Sequence, residues 1–142
     1  MTPTSPDTSS PARSAFRWLL AGILLFAGTS HLTLARKTFQ AQVPPWVPLN
    51  ADLVVVLSGI VELLLGSSLL LAKRRRPTVG WIVAAFFVAI FPGNLNQYTQ
   101  RIDAFGLNSD GIRLTRVLIH PLLPLWALWS TGAWPKGRSA ND

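Results

Sequence analysis

The sequence predicts an all-α protein, a membrane-spanning four-helix bundle with both termini in the cytoplasm. Four apolar runs, each of about twenty residues, are separated by short segments that are polar or rich in proline. The basic residues flank these runs and form no face of their own. A chain of 142 residues that is 49% hydrophobic and 13% charged is one domain, and this composition excludes an ordinary soluble protein.

The first predicted helix covers residues 15–35. Residues 1–12 are small and polar with three prolines, which indicates a disordered tail ahead of a single domain at residues 13–135. The apolar run could imitate a secretory signal, but no A-x-A cleavage site ends it and three further runs follow, so we expect an uncleaved helix. Small residues recur at heptad spacing on one side, together with His31; they are Ala21, Gly28 and Ala35.

The second predicted helix, residues 52–72, carries the only glutamate of the chain, Glu62. The segment before it contains Pro44, Pro45 and Pro48 and should not be helical. At about 1.5 Å per residue, Glu62 lies roughly 14 Å deep, close to the bilayer midplane. Small residues share its arc of the helix, which would let a second helix approach closely; they are Ser58, Gly59 and Gly66.

The third and fourth predicted helices, residues 77–97 and 112–134, both contain prolines. Pro77 opens the third helix, and Pro92 with Gly93 is expected to end its regular part inside the membrane, where Asn94 would satisfy the released backbone. Pro121 and Pro124 lie within the fourth helix and should leave the carbonyls of Val117 and His120 without intrahelical partners. Residues 136–142 form a short polar tail.

The basic residues predict the orientation. Eight of them, including the run at residues 73–76, fall on the side of both termini, and five fall on the other side. The positive-inside tendency therefore places both termini in the cytoplasm and indicates a multi-pass protein of the cytoplasmic (inner) membrane. The net charge of +7 is explained by this topology, so we expect no nucleic-acid partner. The absence of cysteine excludes thiol chemistry and Cys-ligated metals for this chain alone.

Six polar residues lie in the predicted outer half of the bundle, and they indicate an outward-facing pocket for a small amphipathic ligand. Glu62 is expected to contact the face of the fourth helix that carries Arg116 and His120. Purely structural roles are the alternative: the acid would lock helix register and the arginines would anchor a helix end. The two histidines also permit a bis-His haem, although ligands for a metal site do not cluster. The candidate ligand-binding residues are His31, Glu62, Asn94, Arg113, Arg116 and His120.

Several stretches, in this order, resemble the DoxX-like family of integral membrane proteins. The resemblance implies a four-helix membrane fold and an association with quinone-linked sulfur oxidation and membrane redox complexes. Four of the candidates, His31, Glu62, Asn94 and Arg113, match recurring polar positions of that family. The fourth helix departs from the family's R-L-P-x-Q pattern, which shifts the polar chemistry toward Arg116 and His120. The stretches are FAGTSHL (26–32), VPPWVP (43–48), SGIVE (58–62), FPGN (91–94) and RL (113–114).

The functional hypothesis is an accessory membrane subunit, not a stand-alone enzyme, whose pocket holds a quinone- or lipid-like molecule. No cofactor is expected to be bound covalently, and a quinone is the candidate cofactor. The expected partners are the lipid bilayer, a membrane or peripheral redox protein, and further copies of the chain. Two alternatives stay open: a small proton-coupled transporter that uses Glu62, and an assembly or chaperone protein with no small ligand.

Overall fold

The fold is entirely α-helical over the residues that the computed structural model describes, 10–33, 36–40, 43–102 and 109–134. Three long helices are joined by short connections, and the chain ends in two short helices. The elements are α1 (Pro11–Leu32), α2 (Arg36–Gln40), α3 (Ala51–Leu71), α4 (Arg76–Thr99), α5 (Asp110–Ile119) and α6 (Leu122–Thr131). The all-α prediction is therefore confirmed for these residues.

Capping residues decide where the first two long helices begin. Ser10 accepts a hydrogen bond from the backbone N–H of Arg13, and Pro11 occupies the first turn, where its missing N–H costs nothing. Helix α1 therefore begins four residues before the prediction, and residues 11–12 belong to it instead of to a tail. Asn50 caps α3 through the N–H of Asp52 at 2.8 Å, so that α3 agrees with its predicted range to one residue. Residues 1–9, Ala35 and the tail at 136–142 lie outside the described residues.

Two features of the first half of the chain differ from the sequence prediction. The short helix α2 (Arg36–Gln40) lies in the first connection and was not predicted, whereas the three prolines that follow it lie outside any helix, as expected. The expectation that Pro92 and Gly93 end the third helix is wrong, because α4 continues through both residues to Thr99. A proline removes a single intrahelical hydrogen bond, and a well-packed helix can pass through it.

The predicted fourth helix is divided into α5 and α6 at His120 and Pro121. Both of these residues keep right-handed helical dihedrals, so the chain runs on in the same direction. The carbonyl of His120, expected to lose its partner to Pro124, instead accepts a bond from the N–H of Leu123 at 3.0 Å. Gly132, with φ of 75°, ends α6 in the left-handed conformation.

Glycines on α1 and α3 bring these two helices into backbone contact. A Cβ atom at Gly28 would lie 2.7 Å from the carbonyl oxygen of Gly59, and one at Gly66 would lie 3.0 Å from that of Ala21. The small-residue faces predicted for the two helices therefore do meet each other. Of all the helix pairs, α1 and α3 contact each other most extensively.

The second half of the described chain packs around α6. Helix α4 contacts α6 where Gly80 faces the side chain of Thr131, and α1 contacts α6 where the indole N–H of Trp126 donates to the carbonyl of Phe16 at 2.9 Å. Helix α3 contacts α4 less extensively. The core lies between these helices and includes Leu20, Leu24, Leu69, Val83, Phe87 and Ala127.

Three of the helices, α1, α3 and α4, are long and apolar enough to cross a membrane. Their outer faces carry large exposed apolar side chains such as Phe26, Leu64 and Val88, which suit contact with lipid chains. This is the architecture of a multi-pass membrane protein. Helices α5 and α6, of ten residues each, are individually too short to span a bilayer.

Candidate functional site

A cavity of about 1100 Å³ lies between the α1–α3 pair on one side and α4, α5 and the start of α6 on the other. Most of its wall is aliphatic or aromatic. Five of the six candidate residues line it, namely His31, Glu62, Asn94, Arg116 and His120. The connection before α3 contributes Trp46 and Leu49, which are both exposed, so the cavity reaches the surface there. Cavities of this size hold drug-sized or larger ligands.

On the α1–α3 wall, His31 and Glu62 form a buried pair. The Nδ1 atom of His31 lies 2.6 Å from Oε2 of Glu62 and 2.8 Å from the carbonyl oxygen of Ala27. The close helix approach makes this pair possible, because a Cβ atom at Gly59 would lie 2.9 Å from the Cβ of His31. Phe39 of α2 stacks on the imidazole, with ring centroids 3.5 Å apart. The histidine is therefore held in one orientation by its backbone, its partner acid and an aromatic ring.

On the opposite wall, His120 connects the α5–α6 break to α4. Its Nε2 lies 2.7 Å from the carbonyl oxygen of Phe87, and its Nδ1 lies 2.7 Å from Nδ2 of Asn94. A carbonyl only accepts and the Asn94 amide nitrogen only donates, so in these contacts Nε2 acts as the donor and Nδ1 as the acceptor. His120 is 5% exposed, and both of its ring nitrogens are used within the protein.

Arg116 and Arg113 both lie on α5, but their side chains make hydrogen bonds in different parts of the structure. Arg116 lines the cavity and donates from Nη1 to Oε1 of Gln97 at 2.8 Å. Arg113 is buried outside the cavity lining, where it donates to the carbonyl of Ile102 at 3.1 Å and to Asp110 at 3.0 Å. The first of these contacts ties α5 to Ile102, just beyond the end of α4.

An ion pair fastens α2 to the first turn of α3. Nε and Nη2 of Arg36 donate to the two carboxylate oxygens of Asp52 at 2.6 and 2.5 Å, and the Gln40 amide donates to the same carboxylate at 2.8 Å. The hydrogen bond with Asp52 raises the pKa of Arg36, which keeps the guanidinium charged. The pair holds Phe39 over His31 at the rim of the cavity.

A family match covers most of this architecture. Residues 20–131, from the middle of α1 to the end of α6, match the family described as domain of unknown function DUF8561. The chain belongs to the DUF8561 family. Neither a curated protein nor a solved structure matches the sequence of this chain.

The placement of the site residues in this DUF8561 protein corrects two predictions. Glu62 makes no ion pair or hydrogen bond with Arg116 or His120; it pairs with His31 of α1, while Arg116 bonds to Gln97 and His120 to Asn94 and Phe87. The error has a physical origin: depth and helix direction place residues at one level, but they do not say which helices are neighbours. Asn94 likewise bonds to a side chain instead of the backbone released by Pro92.

The geometry also bears on which groups the DUF8561 site could hold. A bis-His haem would need a free ring nitrogen on His120, and both of its ring nitrogens contact protein groups. Within the described ranges, no three His, Asp or Glu side chains come together as metal ligands would. Sequence reasoning did not single out Phe39 as a site residue, since a helix of five residues leaves no periodic signal. What remains is an apolar cavity with hydrogen-bonding groups on two facing walls.

Proposed function

We propose that this protein is an accessory subunit of the inner membrane whose cavity holds a quinone- or lipid-like molecule for a redox-linked partner enzyme. The observation that carries the proposal is the cavity itself, about 1100 Å³ in volume and mostly apolar, with polar side chains on facing walls. The likeness of its site stretches to DoxX-like proteins supports the redox association. No side chain of this cavity carries electrons by itself, so the redox step belongs to the bound molecule or the partner.

The proposed topology has four crossings with both termini in the cytoplasm. Helices α1, α3 and α4 supply three of them, and α5 with α6 supplies the fourth, since the helical dihedrals of His120 and Pro121 carry the chain onward. Together α5 and α6 run over about 30 Å, which matches a bilayer core. The basic run at residues 73–76 then lies in the cytoplasm.

Cysteine labelling tests this topology directly, because the chain has no cysteine of its own. In intact cells, Ser109→Cys is expected to react with a membrane-impermeant maleimide, while Arg75→Cys is expected to stay unlabelled until the cells are opened. Translocation of four positive charges is opposed by the insertion machinery and by the membrane potential. Labelling of Arg75→Cys alone in intact cells would show that the orientation is inverted.

Lipid extraction and mass spectrometry of the purified protein test the cavity. Ala89 and Ala85 lie one turn apart on α4 and are both exposed, but only Ala89 lines the cavity. We expect an apolar molecule to co-purify with the wild type. The amount of this molecule per protein is expected to fall at least about fivefold in Ala89→Trp, because the indole fills the cavity, and to stay unchanged in Ala85→Trp. The absence of any such molecule from the wild type, or equal amounts in the two variants, would contradict the proposal.

A proton-coupled transporter is the second candidate, and the buried His31–Glu62 pair is the observation that favours it. Proteoliposomes separate the two functions. A transporter takes up its substrate along an imposed proton gradient and loses uptake in Glu62→Gln, whereas an accessory subunit shows no gradient-dependent uptake. An assembly or chaperone role without a small ligand would leave the extraction experiment negative.

A further inference from the structure

The hydrogen-bonding groups left on the α1–α3 wall of the cavity can all act as acceptors. Nδ1 of His31 faces two acceptors, Oε2 of Glu62 and the Ala27 carbonyl, so the ring proton lies on Nδ1. In the neutral ring, Nε2 is then an acceptor, and it lies at the edge of the ring away from the α1 backbone. Nε2 makes no hydrogen bond to the described part of the chain. The ring face is covered by Phe39, which leaves this edge for a ligand.

Two further groups, both on α3, line the same cavity. Glu62 presents a carboxylate, which accepts and cannot donate when ionised, and the hydroxyl of Ser58 lies one turn earlier on the same face of α3. Within the described ranges the Ser58 hydroxyl makes no hydrogen bond, whereas those of Thr29, Ser30 and Ser68 bond back to their own helices. Acceptors therefore dominate this wall, and a ligand satisfies them only if it brings donors.

We propose that the cavity selects an apolar molecule that carries a hydroxyl group, and that His31 accepts the hydrogen bond from this hydroxyl. Glu62 is the positioning residue, because its carboxylate lies 2.6 Å from Nδ1, beside the Ala27 carbonyl that accepts the Nδ1 proton, and so favours the ring form in which Nε2 is an acceptor. A hydroxyl fits the site better than an ammonium group, since Arg116 places a permanent positive charge on the same cavity. The inference rests on the proposed ligand cavity and names the chemistry that the cavity prefers.

Competition between matched probes tests the preference. Purified protein in detergent is mixed with equal amounts of 2-decylhydroquinone and its dimethyl ether, and native mass spectrometry measures the ratio of the two bound forms. A second pair, 1-dodecanol and its methyl ether, tells an aliphatic alcohol from a ring hydroxyl. We expect the hydroxyl member of at least one pair to be bound about tenfold in excess, the discrimination typical of one buried hydrogen bond. When dodecylammonium is mixed with the favoured hydroxyl probe in equal amounts, less of the dodecylammonium is expected to be bound.

Variants then assign the preference to its residues. His31→Phe keeps a ring under Phe39 but removes Nε2, so the bound ratio is expected to fall to within about twofold of unity, while the ether still binds. Glu62→Gln retains an oxygen beside Nδ1 and should keep the preference, whereas Glu62→Leu should weaken it, because only the Ala27 carbonyl then faces the Nδ1 proton. Thr29→Val is the matched control, because Thr29 lies on α1 outside the cavity and bonds only its own helix.

The outcomes separate this inference from the proposed function. Equal binding of hydroxyl and ether probes by the wild type would overturn the hydroxyl preference and leave the ligand cavity standing. Stronger binding of dodecylammonium would overturn it as well, in favour of a cationic substrate. Failure of every probe to bind would overturn both proposals.

Discussion

Gly28→Ala is expected to destabilise the detergent-solubilised protein by about 2 kcal/mol, within the range seen when a packed interface is overfilled. The new Cβ would lie 2.7 Å from the carbonyl oxygen of Gly59 and 3.1 Å from the Cβ of Glu62. The nearest obstacle is backbone, which cannot rotate aside as a side chain can, so α1 and α3 must separate. Thermal or denaturant unfolding followed by circular dichroism measures the effect.

Gly22→Ala is the matched control for this prediction. It makes the same substitution on the same helix, but a Cβ at Gly22 meets nothing within 4 Å. Alanine has the higher helix propensity, so this variant should be neutral or slightly stabilised. The separation of α1 from α3 should also part His31 from Glu62, so Gly28→Ala is expected to bind less of any cavity ligand than Gly22→Ala. Equal stability of the two variants would show that the two backbones are not in contact at Gly28.

His120→Phe is expected to cost about 2 kcal/mol of unfolding free energy. Phenylalanine preserves the ring but leaves the Asn94 amide and the Phe87 carbonyl without the partners they have at 2.7 Å. His120 is 5% exposed, so water replaces these bonds poorly. The loss should appear in the same unfolding measurement, and α4 should come away from the α5–α6 break.

A double-mutant cycle tells a direct bond from a general packing defect. The losses of unfolding free energy caused by His120→Phe and Asn94→Leu should be less than additive by about 1 kcal/mol in the double variant, because each substitution removes the same hydrogen bond. Asn96→Leu, the same substitution two residues farther along α4, should be additive with His120→Phe, since the Asn96 side chain makes no hydrogen bond within the described residues. Full additivity in both cycles would mean that the Asn94–His120 bond contributes nothing to stability.

The helices that could be predicted are those whose signals are local. The range of α3 agrees with the prediction to one residue, because an uninterrupted apolar run is bounded by a cap and a basic cluster. The effect of the prolines on helix continuity was predicted less accurately. Pro92 was expected to end a helix that continues, and Pro121 lies at a break in a helix that was expected to be whole. A proline costs one hydrogen bond in either case, and the packing around it decides whether the helix goes on.

The candidate site was found in part for a similar reason. An ionisable or amide side chain within an apolar run is costly, so Glu62, His120 and Asn94 stand out from composition alone. All three line the cavity, but the sequence pointed Glu62 toward the wrong helix. Phe39, which covers His31, belongs to a five-residue helix that leaves no periodic signal.

By itself the sequence determined the helical class, the membrane-length segments and the small-residue faces of α1 and α3. Each of these follows from the chemistry of residues that are close along the chain. Only the tertiary structure decided that His31 pairs with Glu62, that His120 bonds to Asn94 and Phe87, and that a cavity separates the two pairs. The physical reason is that helix neighbours are chosen by the fit of whole surfaces, such as Gly28 against Gly59, and a linear pattern does not contain that fit.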